Sequence, residues 1–208
     1  MWRRIFDMEN PVMQALGTVC DLLLLNVLAV LCCLPVVTAG ASLTALSDVS
    51  LHLVRKEEEN IVRMFFRSFR SNLKKGSLLG LIFLAAALVF YVDYRAAAVY
   101  APALRIPVAA AALIVAAVAL YAFALLARYE NTIGGTLKNA ASLAVAFFPK
   151  TLGMLVFTVG LWTVCLHFAR YALPVPAMFG LSLPAYVCAL LYDGVLRTLE
   201  ETNKDNDA

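Results

Sequence analysis

Residues Thr38 to Arg55 read TAGASLTALSDVSLHLVR, and how this stretch is assigned decides the fold. Leu43, Leu46, Val49 and Leu53 recur at helical spacing. Ser42, Thr44, Ser47, Asp48 and Ser50 dilute the pattern. Hydropathy alone makes the stretch a loop or a soluble helix. Serine and threonine are also tolerated where one membrane helix packs against another, so a short, polar span fits it too.

The surroundings favour a membrane. Of 208 residues, 62% are apolar and 15% charged, against roughly 25% charged in a soluble domain. A soluble core of this size cannot hide so much apolar surface, whereas lipid does not penalise it. At about 20 residues per crossing, the chain has room for six spans with short loops.

The first helix has a readable start, with Asn10 as N-cap and Pro11 at the first helical position. It runs to Leu34, where Pro35 stops or kinks it. Clear apolar blocks follow at 77–93 and 107–127, then at 150–170 and 176–196. Between the second and third of these spans, Arg128, Glu130, Gly134, Gly135, Lys138 and Asn139 form a polar connection. Arg3 and Arg4 before an apolar run, with Ala39-Gly40-Ala41 beyond it, imitate a signal peptide. The run is long for such a leader and contains Asp21 and Asn26, so cleavage is not expected.

An internal repeat bears on the opening stretch. Pro11 recurs as Pro149, Leu34-Pro35-Val36 as Leu173-Pro174-Val175, Gly40 as Gly180 and Arg55 as Arg197, at offsets of 138, 139, 140 and 142. Each copy reads as proline, apolar helix, Leu-Pro-Val turn, glycine, second helix, arginine. The second copy has the hydropathy of two spans, so 40–54 is expected to be a span as well. Repeats of this kind are common in membrane proteins.

The expected fold is therefore all-α: a polytopic membrane helix bundle in one domain, 1–198, with spans at about 11–34, 40–54, 77–93, 107–127, 150–170 and 176–196. A polar, disordered tail at 199–208 follows. A five-span bundle that leaves out 40–54 is the runner-up. With six spans, both termini share one side. That side holds two Lys and Arg before the first helix, seven in 55–75, three in 128–150 and two in the tail; only Arg95, Arg105 and Arg170 fall on the other. The positive-inside rule makes the rich side cytoplasmic.

The segment at about 60–75 is expected to be an amphipathic interfacial helix. Arg63, Arg67, Arg70 and Lys74, spaced 4, 3 and 4, share one face, with Ile61, Met64, Phe65, Phe66, Phe69 and Leu73 around the rest. Basic residues opposite aromatic ones suit anionic lipid headgroups. The alternative is a cytosolic helix packed on the ends of the bundle.

Polar residues inside spans are the candidate site. An aspartate at mid-bilayer costs about 2.5–3.5 kcal/mol, so it should face protein and be paired or protonated. Asp21 and Asn26 lie within the first helix, and Asp48 and His52 one turn apart in the proposed second. Together they form either an ion- or substrate-handling cluster or interhelical glue. His167, Arg170 and Asp193 are expected near the interface.

The five cysteines, Cys20, Cys32, Cys33, Cys165 and Cys188, all sit in apolar runs without a CxxC pair. Neither a disulfide framework nor a zinc site is expected. The sequence has no P-loop, GxSxG, HExxH or glycine-rich dinucleotide turn. No cofactor, catalytic centre or nucleic-acid partner is expected.

Gly17-x-x-x-Asp21-Leu22, Asn26-x-Leu28, Leu34-Pro35-Val36-Val37-Thr38-Ala39-Gly40-Ala41 and Phe65-Phe66-Arg67-Ser68-Phe69-Arg70-x-Asn72 together resemble the YesL-like family of bacterial membrane proteins, a domain of unknown function. Within this signature, Pro35, Thr38 and Gly40 mark the helix turn, and Ala39 replaces the usual isoleucine. The resemblance is strongest over 1–80. It implies a multi-pass protein of the bacterial plasma membrane. Genes of such proteins often lie beside those for oligosaccharide uptake and breakdown, which implies a non-catalytic accessory or scaffold role beside sugar-transporter or sensor subunits. It brings no catalytic residues. A small solute transporter or channel using Asp21 and Asn26 is the alternative, and an intramembrane enzyme acting on lipids a weaker one.

Overall fold

A computed structural model describes residues 11–57, 60–129, 132–168 and 180–206. The described residues are helical and contain no strand. In chain order the helices are α1 (Pro11–Cys33), α2 (Ala39–Val54), α3 (Ile61–Ser71), α4 (Leu73–Tyr100), α5 (Arg105–Arg128), α6 (Ile133–Ala146), α7 (Phe148–Phe168) and α8 (Ser182–Asn206). Single 3-10 turns at Val36–Thr38 and Pro102–Leu104 join α1 to α2 and α4 to α5.

The stretch that was ambiguous in sequence is a helix. Five segments of the described residues are long and apolar enough to cross a membrane: Leu16–Cys33, Val36–Val54, Leu73–Tyr100, Pro102–Arg128 and Phe148–Cys165. Val36–Val54 is among them, so this is not the five-span set that omits it. The segment that falls short is the last, whose apolar part is Ser182–Val195. The expected start of that span at 176–179, the second Leu-Pro-Val turn and Asn10 lie outside the described residues.

Local chemistry sets the helix boundaries. Pro35 has no N–H to continue α1. Thr38 Oγ1 lies 2.8 Å from the carbonyl of Cys32 and 2.9 Å from that of Pro35, so its proton serves the carbonyls left open at the end of α1. α2 ends in a Schellman motif. Glu57 N–H donates to the His52 carbonyl, Lys56 N–H donates to that of Leu53, and Lys56 takes a left-handed φ of 54°. The side chains of Asn60 and Thr132 accept from the backbone N–H three residues on and so cap α3 and α6.

Four expectations need correcting. The basic segment is not one helix over 60–75. α3 stops at Asn72, whose side-chain amide joins its own N–H on the Ser68 carbonyl, so Lys74 sits in the first turn of α4. α4 runs past Asp93, Tyr94 and Arg95 to Tyr100, because charge does not break a helix. Ala101-Pro102 ends it, and Arg105 folds back over the Tyr94 ring at 5.1 Å. The polar connection after α5 holds a helix of its own, α6. α8 continues through Asn206, so helix replaces the disorder expected from 199.

Several polar side chains are inside and many large apolar ones are outside. Asn26, Ser42, Thr44, Ser50, Thr136, Thr151, Ser182 and Asp193 are buried, while Leu84, Leu88, Val89, Ile114 and Val156 are half exposed or more. Such an outer band is stable only in an apolar solvent. Two apolar clusters form the core. One joins α1, α2 and α3 through Leu25, Ala29, Leu46, Val49, Met64 and Phe65. The other joins α2, α4, α5, α6, α7 and α8, with Leu51, Leu79, Tyr121, Met154 and Val195 at its centre. α2 contributes to both.

Candidate functional site

Three junctions that involve α1, α2 or both join distant parts of the chain. The first is Asn26 of α1, which is fully buried. Its Oδ1 accepts from the backbone N–H groups of Leu181 and Ser182, at 3.0 and 3.1 Å. A helix leaves its first N–H groups without internal partners, and in an apolar medium each is costly. Asn26 supplies the cap for α8 from 155 residues away. Around it, Ser42 donates to the Ala29 carbonyl across the α1–α2 hairpin, and Thr44 and Ser47 donate to carbonyls one turn back within α2. Three of the hydroxyls that diluted the pattern of α2, those of Ser42, Thr44 and Ser47, thus rest on backbone, while the buried Ser50 hydroxyl has no hydrogen-bond partner among the described residues.

The second junction is the C-terminal end of α2. Arg55 Nε donates to Asp193 Oδ1 of α8 at 2.7 Å, with both side chains largely buried. His52 Nε2 lies 3.6 Å from Asp48 Oδ1, and its Nδ1 meets the Glu57 carboxylate, which the Schellman turn folds back over the helix. At this end α2 meets α8 through Arg55 and Asp193, while toward their N-termini Leu181 and Ala185 pack against the cluster that contains Ala45, Leu46 and Val49. The two helices therefore run side by side in the same direction.

The third junction is a close backbone contact. A Cβ on Gly40 would lie 2.1 Å from the Gly76 carbonyl oxygen and 2.6 Å from the Gly80 Cα. A Cβ on Gly76 would lie 2.9 Å from the Ala41 Cα, and one on Gly80 2.5 Å from the Gly40 Cα. The start of α2 rests on α4 through Gly40 and Ala41 against Gly76 and Gly80, so the Gly76-x-x-x-Gly80 spacing serves contact within the chain.

Residues 22–94 match DUF624, a family of proteins of unknown function. The matched segment runs from the midpoint of α1 through most of α4, and contains Asn26, the Leu-Pro-Val turn, all of α2 and α3, and the Gly40–Gly76–Gly80 contact. No curated protein and no solved structure matches the chain. Within the DUF624-matching segment the functional sense of the signature is architectural: Pro35 ends α1, Thr38 closes its last turn, and Gly40 lets α4 approach.

The expected cluster of Asp21, Asn26, Asp48 and His52 does not assemble as one site. Asp48 and His52 pair as their spacing predicts. Asn26 faces α8. Asp21 is half-buried, and among the described residues neither a hydrogen bond nor an ion pair joins it to Asp48 or His52. Asp193, expected at the interface, is buried on Arg55 instead. Arg170 lies outside the described residues, and His167 is exposed in the last turn of α7.

Of the basic face, Arg63, Arg67 and Arg70 are exposed along α3, and Lys74 is exposed at the start of α4. Met64, Phe65 and Ser68 anchor the opposite side of α3. Val62 and Phe66 are exposed beside the arginines.

A cavity of about 180 Å³ lies between α2, α5, α7 and α8, walled by apolar side chains such as Leu46, Leu120, Phe123 and Met154.

Proposed function

We propose that this protein is a non-catalytic component of the bacterial plasma membrane, an accessory or scaffold subunit for carbohydrate uptake, with both termini on the cytoplasmic side. The observation that carries the scaffold part is the use of the interior polar groups. Asn26 caps α8, Arg55 and Asp193 neutralise each other, and the Ser42, Thr44 and Ser47 hydroxyls of α2 rest on backbone. Such groups hold helices together and do not line a polar path. Fixed on the bundle by Met64 and Phe65, the basic face of Arg63, Arg67, Arg70 and Lys74 would rest on anionic lipid headgroups, next to sugar-transporter or sensor subunits. The link to carbohydrates rests on the resemblance to the YesL-like family.

Affinity purification from mild detergent tests this reading. Sugar-transport components should co-purify with the protein. Solute flux by the pure protein alone in liposomes would contradict it. A small transporter or channel routed past Asp21 is the second reading, favoured by the absence of a bond from Asp21 to Asp48 or His52. In that case Asp21→Asn would abolish flux while the fold survives. An enzyme acting on lipids is the weakest reading, since no catalytic motif supports it.

A further inference from the structure

α7 touches two neighbours in different ways. Near its start it is pinned to α5, where Thr151 Oγ1 lies 3.2 Å from the Tyr121 hydroxyl. Farther along it keeps to α8: a Cβ on Gly153 would lie 3.8 Å from Leu191 Cδ1, and Thr158 Oγ1 lies 3.7 Å from Cys188 Sγ. The cavity between α2, α5, α7 and α8 starts beside the pin. On α5 it is lined close to Tyr121, by Ala119, Leu120, Phe123 and Ala124. On α7 it is lined by Met154, Thr158 and Trp162, one helix face over two turns, or about 12 Å. Its two ends differ. Met154 is 1% exposed and Trp162 is 43% exposed. Trp162 belongs to the spanning window Phe148–Cys165, which is 11% buried. The cavity therefore opens sideways, at a depth where the bilayer surrounds α7.

Size, wall and opening point to one kind of occupant. Protein interiors are close-packed, so an apolar space of this size is disfavoured when empty. Water is a poor filler, because a buried water needs several polar partners. The Ser47 hydroxyl in the wall donates to the Leu43 carbonyl, and that of Thr158 faces Cys188, so neither calls for a polar ligand. Apolar cavities of about 150 Å³ take benzene, so 180 Å³ accommodates a short run of hydrocarbon and not a whole lipid. An opening at bilayer depth admits what the bilayer holds there, which is acyl chains. We infer that the cavity is a binding site for the terminal part of one lipid acyl chain, which enters past Trp162 and reaches Met154 while the headgroup stays outside. This site rests on the chain spanning a membrane and is independent of the scaffold role.

Photolabelling of the full chain in phosphatidylcholine liposomes tests it. The probe is phosphatidylcholine with a diazirine at the methyl end of one acyl chain, and the sites of attachment are mapped by mass spectrometry. A lipid that only surrounds the protein reaches the outward residues of α7, Leu152, Val156 and Val159, which are about half exposed or more. A chain inside the cavity also reaches Met154 and Leu46, which are buried and line it. Label is expected at both sets in the parent. A second probe, with the diazirine next to the ester, should label neither Met154 nor Leu46. Thr158→Phe places a ring in the cavity and should lose the label at Met154 and Leu46 while keeping it at Val156 and Val159. If Thr158→Phe does not fold, the comparison of the two probes on the parent decides alone. Label confined to Leu152, Val156 and Val159 in the parent would overturn the proposal. So would equal labelling of Met154 by the two probes, or undiminished labelling of Met154 in folded Thr158→Phe.

Discussion

α2 and α4 touch through glycines, yet they solve opposite problems. The α2 span, Val36–Val54, is the less apolar of the two and is 50% buried; the α4 span, Leu73–Tyr100, is the more apolar and 11% buried. In a soluble protein the more apolar helix would be inside. Here lipid takes the apolar side chains of Leu84 and Leu88 on α4, and the interior takes the hydroxyls of Ser42, Thr44 and Ser50 on α2. The contrast teaches that polarity in a candidate span signals contact with other helices. Serine, threonine and glycine weaken a hydropathy profile and strengthen a helix contact.

The most severe way to break this contrast is to push the two helices apart. Gly40→Ala places a methyl group 2.1 Å from a backbone oxygen that cannot rotate away. Loss of at least about 3 kcal/mol is expected, read as failure to purify as a monodisperse species or a large fall in melting temperature in detergent. Gly17→Ala, with nothing within 4 Å, is the matched control and should be neutral or slightly stabilising.

Next in size is the partnership of α2 with α8. Asp193→Ala removes the carboxylate bonded to Arg55 Nε in a largely buried place and should cost about 3–5 kcal/mol. The double change Arg55→Met with Asp193→Leu should recover most of that loss. Thermal unfolding of the two single variants and the double variant measures the coupling.

Asn26→Ala removes the cap of α8 and should cost about 1–2 kcal/mol. Hydrogen exchange should rise at Leu181 and Ser182 and not at the middle of α4. The smallest effect has the opposite sign. Lys56 occupies a left-handed position at the end of α2, which glycine adopts without strain, so Lys56→Gly should stabilise by about 0.5–1 kcal/mol in the same unfolding assay.

Much of this architecture was legible before the fold was known. Composition gave the membrane, the prolines gave the turns, and the repeat supplied the helix at 40–54. The repeat also bears on the pairing of α2 with α8. Arg55 and Asp193 stand 138 residues apart, close to the repeat offset, as expected if equivalent helices lie side by side. The candidate site was less legible. Asn26 and Asp21 look alike in a window of sequence, and only the position of α8 separates a cap from a half-buried carboxylate. The break at Asn72 was also hidden. Periodicity carries Lys74 onto the face of Arg63, Arg67 and Arg70, whereas the Asn72 amide takes a helix carbonyl and ends α3.

The central claim is that α2 is a buried span and α4 a lipid-facing one. Spin-label accessibility in liposomes tests it most directly, using single cysteines in a cysteine-free background at Ala45 and Val49 of α2 and at Leu84 and Leu88 of α4. The account predicts high collision with oxygen at Leu84 and Leu88, and low collision with both oxygen and a water-soluble nickel reagent at Ala45 and Val49. Strong collision with the nickel reagent at Ala45 and Val49 would place α2 in water and contradict it.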